Sequence, residues 1–258
     1  MSGEYPYSSE GFFGFGEPGI FRAYGLMHLI PVLIFFAAVV FISRRREQIR
    51  NWKHETSFRY GLSFFMFVIE FSYFIWLLYV GDTSGQYLMM SKLPLHLCDL
   101  GMICCMYTVI TKNQVLFGFN FFVTLFGASL ACIIPQTVLS DVSPAYFRYY
   151  QFWFEHLVPI FGTVYMMVIH DMRPRYRDLW ITSAFLISLL YPSIRLNEAF
   201  PGSDYLFLKL DTSLFPADQY IRAAVYTVAI IGIFHLMYLL CRLVTRQETA
   251  VSTETVIC

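Results

Sequence analysis

The chain has 258 residues, of which 57% are hydrophobic and 19% aromatic but only 14% charged. Soluble domains carry about 25% charged residues, so an ordinary water-facing globular surface is excluded. The formal charge is zero, which leaves no basic patch for nucleic acid and no acidic tail for a cationic partner.

The first 21 residues contain Glu4, Glu10 and Glu17 and no Lys or Arg. A secretory signal begins with a positive region, so this segment does not read as one. The apolar residues beyond it come in long runs rather than in two- or 3.6-residue alternation, as expected of helices whose solvent is lipid. A span needs roughly 20 apolar residues. The runs predict helices near 22–43, 59–80, 93–111, 115–135, 149–170, 178–196 and 218–243. The expected fold class is all-α membrane: a single-domain bundle of seven transmembrane helices.

The third span carries Pro94, His96, Cys98 and Asp99 in its first turns. Pro94 is tolerated there because a first-turn N–H has no intrahelical acceptor to lose. The connection over about 197–217 holds Asn197, Pro201, Gly202, Asp204 and Asp211 between aromatic residues, and is expected to lie across the membrane surface. Residues 247–258, rich in Thr and Ser, are expected to form a mobile tail. Five of the six Cys (Cys98, Cys104, Cys105, Cys132 and Cys241) fall within or beside apolar runs, and Cys258 ends the chain, so no disulfide framework is expected.

Basic residues set the orientation. One set of connections holds Arg44, Arg45, Arg46, Arg50, Lys53, Arg59, Lys112, Arg173, Arg175, Arg177, Arg242 and Arg246. The other side holds Arg22, Lys92, Arg148, Arg195, Lys209 and Arg222, which makes 12 against 6. The richer side is expected to be cytoplasmic, which places the N-terminus outside and the C-terminus inside. His28-Leu29-Ile30-Pro31 in the first span and His156-Leu157-Val158-Pro159 in the fifth form a faint parallel repeat.

Ionisable side chains in a bilayer are costly and point to function by default. Counting from the outer helix ends, His28, Cys98 and His156 fall at one depth, roughly 8–10 Å below the outer surface. His96 is slightly shallower, and Asp99 and Glu155 stand beside the cluster. Taken singly, His28 and His156 each fit a structural donor beside Pro31 and Pro159, which free the carbonyls of Met27 and Glu155. His96 fits an interfacial residue and Cys98 a packing residue. Glu70, near mid-depth in the second span, needs a partner or a proton, and His235 lies out of register. Together the layer offers a thiol near a helix N-terminus, where the dipole favours thiolate, and a base from another helix. At that depth the suited chemistry is acyl transfer to or from a lipid ester.

The stretch Leu93-Pro94-Leu95-His96-Leu97-Cys98 resembles the signature of the YwaF-type bacterial membrane proteins. Gly127 to Pro135, Phe152 to His156, and Asp204-Tyr205-Leu206-Phe207-Leu208 extend the resemblance across most of the chain. That family is similar to eukaryotic transmembrane protein 164, an intramembrane acyltransferase that remodels ether phospholipids. The resemblance implies a nucleophilic Cys98 forming a thioester, with a membrane His as base, here His156. His28 and His96 would orient the substrate or stabilise the oxyanion, with Glu70, Asp99, Glu155, Asp204 and Tyr205 in support. It also implies a bacterial plasma membrane, a phospholipid acyl donor, a lysolipid acceptor and no cofactor. Asp204 stands where the family tends to have Asn, and Leu210 where it tends to have Pro. Two alternatives stay open: a zinc-dependent lipid hydrolase using His28, His96, His156 and Cys98, and a non-enzymatic transporter or lipid-binding protein.

Overall fold

The computed structural model describes residues 11–14, 21–79, 93, 95–135, 144–200, 203–209 and 218–256, with side chains of the last helix as far as Thr245. The described residues form helices and connections, with no strand among them. The helices are α1 (Leu26–Arg44), α2 (Arg46–Arg50), α3 (Glu55–Tyr79), α4 (Leu97–Thr111), α5 (Gln114–Ile133), α6 (Phe147–Ile169), α7 (Tyr176–Ala199) and α8 (Gln219–Val256). Six of them, α1, α3, α5, α6, α7 and α8, are long and apolar enough to cross a membrane. α4 is apolar but has only 15 residues.

α1 and α8 bury little of themselves and turn Leu33, Ile34, Phe41, Val228, Leu236 and Leu240 outward. Continuous apolar faces of that size are unstable against water but are the ordinary surface of a helix in lipid. α8 continues with helical backbone to Val256, through most of the segment expected as a mobile tail.

α4 is the centre of the bundle, packed by α3, α5 and α6. Small residues bring the backbones close, as is usual where lipid supplies no hydrophobic drive between helices. A Cβ on Gly101 would stand 2.5 Å from Thr124 Oγ1, and one on Gly162 would stand 2.7 Å from Cys105 Sγ. Met66, Met102, Cys105, Val109, Phe117, Tyr165 and Met166 fill the core around these crossings. α5 is not a uniform helix. Thr124–Ala128 forms a π turn between two α segments, the kind of local widening that recurs at functional sites.

Polar ties fix the two ends. At one end Glu55 accepts from Arg59 Nε at 2.9 Å, from Tyr165 Oη at 3.0 Å and from His170 Nε2 at 2.8 Å. Arg59 also donates to the carbonyls of Val109 and Ile110 at 2.6 and 3.1 Å, so it closes the last turn of α4. Burial holds the His170 imidazole below its ordinary value, against the pull of Glu55. Nearby, Arg46 and Arg50 both pair with Asp171, at 2.5 and 2.6 Å. At the other end the Met27 carbonyl, which Pro31 releases from its helical bond, accepts from Tyr149 Oη and ties α1 to α6.

Candidate functional site

A cavity of about 600 Å³ opens at the end of the bundle where α4 and α6 begin, and most of its wall is apolar. Its polar side chains come from α3, the start of α4, α6, α7 and α8. α4 starts at Leu97 with His96 in extended conformation just before it. The expected span from residue 93 is therefore corrected: 95 and 96 are not helical, and Pro94 lies outside the described residues. Cys98 becomes the second residue of its helix rather than a residue five positions inside.

The stretch before α4 is held by the loop that follows α7. Asn197 accepts from the Tyr205 N–H at 2.7 Å and donates to the Tyr205 carbonyl at 3.1 Å, so one buried side chain grips both backbone groups. Leu206 and Phe207 then take left-handed conformations, with φ of 58° and 56°. This sharp turn swings both side chains into the cavity wall. Tyr205 Oη accepts from the Leu93 N–H at 3.2 Å, and the His96 ring lies 5.1 Å from the Tyr205 ring and 5.6 Å from that of Phe207. Asp204 Oδ1 accepts from the Lys209 N–H at 2.6 Å. Burial raises the Asp204 carboxyl above its ordinary value, although Lys209 and Arg222 oppose the shift. Leu210 lies outside the described residues.

Within the cavity wall, Cys98 Sγ and carboxylate oxygens of Asp99 and Glu155 all lie within 4.8 Å of one another. Cys98 Sγ is 3.9 Å from Asp99 Oδ1. Both carboxyl residues are buried and Cys98 is half-buried. Gln151 Nε2 donates to Glu155 Oε2 at 2.6 Å, and Gln151 Oε1 accepts from Arg148, so a relay of three side chains runs down one face of α6. His156 lines the same cavity. Its Nδ1 lies 2.7 Å from the Phe152 carbonyl, an acceptor only, so Nδ1 carries a proton and the neutral ring keeps its lone pair on Nε2.

The structure thus brings Cys98, Asp99, Glu155, His156 and His96 to one cavity, and it does not bring His28. The His28 Nδ1 accepts from the Tyr24 N–H at 3.2 Å, the ring lies beside the Cys132 backbone, and it packs among Phe21, Tyr24 and Trp153. The expected common layer of His28, Cys98 and His156 is corrected accordingly: the His28 ring turns toward α5 and α6 and does not line the cavity. Glu70 is half-buried in α3 and absent from the cavity wall. His235 joins α8 to α7 through Tyr176 Oη at 3.3 Å. The His-rich zinc set anticipated above is not assembled. The metal-capable group among the described residues is Cys98, Asp99 and Glu155. Sequence reasoning passed over Arg148 and Gln151, although their spacing to Glu155 of seven and four residues marks a single helical face.

Fold and site together define a class: a polytopic α-helical membrane protein with a largely apolar cavity whose wall holds a thiol–carboxyl cluster and two imidazoles. Residues 23–241 match the model of the TMEM164 family, and the chain belongs to that family. No curated protein and no solved structure matches it significantly.

Proposed function

We propose that the protein is an intramembrane acyltransferase or acyl hydrolase of membrane phospholipids, working through a thioester on Cys98. The observation that carries this reading is the thiol within 4.8 Å of two buried carboxyl groups at the wall of an apolar cavity. Family membership is compatible with a membrane enzyme.

Two like charges that close in a dry site repel, which suits the Asp99–Glu155 pair to passing a proton rather than holding two charges. One carboxylate takes the Cys98 proton, and the thiolate attacks the ester carbonyl carbon. The oxyanion forms beside the first-turn N–H groups of α4, which have no intrahelical acceptors. The ester C–O bond breaks, and the lysolipid alkoxide leaves with the proton. A lysolipid hydroxyl or water then gives its proton to His156 Nε2 and attacks the thioester; the C–S bond breaks, the acyl chain leaves on the new oxygen, and the sulfur takes the proton back from His156 to restore the thiol.

The reading includes a topology of seven spans, with the N-terminus outside and the C-terminus cytoplasmic in a bacterial plasma membrane. α4 then begins beneath the outer surface. Its 15 residues rise roughly 22 Å against a hydrocarbon core of roughly 30 Å, which leaves Cys98 roughly 9 Å inside the outer edge of that core. The basic ties of Arg46, Arg50 and Arg59 all sit at the end away from the cavity mouth, in keeping with the positive-inside rule.

The test is acyl exchange between a radiolabelled phospholipid and a lysolipid by purified protein in liposomes. Hydroxylamine-labile label should collect on the wild-type chain and vanish with exchange in Cys98→Ala. Exchange that persists in that variant ends the reading.

The Cys98, Asp99 and Glu155 grouping also favours a second reading, a metal-dependent lipid hydrolase. Stoichiometric metal in the purified protein, lost in Glu155→Gln, would replace the thioester scheme.

A further inference from the structure

We propose that Arg148 holds the phosphate of the lipid in this cavity and so makes the site selective for a phosphodiester lipid over a neutral glyceride. This rests on the acyl-ester reading above and assigns to that site a positioning residue on α6.

Arg148 is the one Lys or Arg in the cavity wall, among the described residues. Its guanidinium carbon lies 4.3 Å from the Tyr73 ring centre and 5.3 Å from that of Trp76. Trp76 is fixed in turn by an Nε1–H bond to the Phe13 carbonyl at 2.7 Å. The cation therefore packs against two neighbouring aromatic faces of α3, contacts that hold Arg well and orient its fork. Its hydrogen bond goes to Gln151, a neutral amide, and it makes no ion pair among the described residues. A guanidinium has five N–H donors, so one amide leaves most of the fork for another acceptor. In an apolar, lipid-facing cavity the complementary acceptor is a phosphate oxygen, which Arg binds bidentately.

Position makes the same point. Gln151 bridges Arg148 to Glu155, so the cation and the acid beside Cys98 are one side chain apart. A glycerol unit similarly separates a phosphate from its acyl esters, so a lipid gripped at Arg148 presents an ester carbonyl toward the sulfur. The N-termini of α4 and α6 point at the same end and add to the positive potential there. The plainer role for such a residue is an anchor at the membrane interface, which would contribute stability but no headgroup preference.

The experiment compares binding of a lysophosphatidylcholine and a monoacylglycerol with the same acyl chain to the full-length purified protein, by native mass spectrometry in detergent. Wild type should bind the phosphodiester lipid about tenfold more tightly, Arg148→Gln should bind the two equally, and Arg148→Lys should retain part of the ratio. Cys98→Ala should keep the full ratio while losing exchange, so the two readings fail separately. Equal binding by wild type, or an undiminished ratio in a folded Arg148→Gln, overturns the proposal. If Arg148→Gln does not fold, an unchanged ratio in Arg148→Lys overturns it as well. Inorganic phosphate should compete only at millimolar concentration, and displacement of the lipid at micromolar phosphate would assign the contact to a soluble anion instead.

Discussion

Asn197 and Tyr205 form a two-point clamp: the amide oxygen takes the Tyr205 N–H at 2.7 Å and the amide nitrogen gives to its carbonyl at 3.1 Å. Both residues are fully buried. In Asn197→Ala each backbone group loses its partner, at about 1–3 kcal/mol per unsatisfied group. Thermal unfolding in detergent should report a clear drop. Maleimide should also label Cys98 faster, because the 203–209 loop no longer covers the start of α4.

Glu155→Gln is nearly isosteric, and its amide oxygen still accepts from Gln151. The fold should persist while acyl exchange falls about 10²–10⁴-fold, the usual worth of a positioned acid or base. An unchanged rate would remove Glu155 from the proton path.

The α4–α6 crossing has no spare room. Gly162→Ala drives a methyl group to 2.7 Å from Cys105 Sγ, with Val109 Cγ1 at 3.4 Å behind it. The expected cost is about 1–3 kcal/mol of overpacking, visible as a lowered melting temperature. Cys105→Ala in the same chain should relieve part of it.

His170 gives a signed pH dependence. Burial depresses its folded value, so the folded chain binds fewer protons than the unfolded chain just below the ordinary histidine range. Its contribution is full above about pH 6.5 and is lost as pH falls through the depressed folded value. His170→Gln should flatten that segment of the stability curve measured from pH 7.5 downward.

Asp204 carries the opposite sign. Its carboxyl is raised by burial, so its charge destabilises the loop at neutral pH, and the penalty fades as the group protonates. Asp204→Asn keeps an oxygen for the Lys209 N–H and should stabilise at pH 7. Its advantage should shrink on acidification and vanish below about pH 4.

The sequence carried the helices well because apolar runs of this length have no other stable use than crossing lipid. It carried the start of α4 badly, since Leu95, Leu97 and Cys98 suit a helix or an extended stretch equally, and the Tyr205 and Phe207 rings that meet His96 come from a distant loop. Cys98 and His156 line one cavity although the count that paired them began α4 at residue 93, and His28 was misplaced because counting along a helix says nothing of rotation about its axis. Arg148 was counted as an outer-side charge, since its packing against Tyr73 and Trp76 depends on a crossing of α3 and α6 that no local pattern encodes.

The wider turn at Thr124–Ala128 acts as a phase shift in α5. One surplus residue there widens the turn at Gly127 and rotates everything beyond it by a fraction of a turn, and Gly127, Leu130, Ala131 and Ile134 face the cavity. Excising a single residue from that stretch would restore ordinary winding and rotate those four toward other neighbours. The chamber would then be lost to a deletion that touches none of its polar groups.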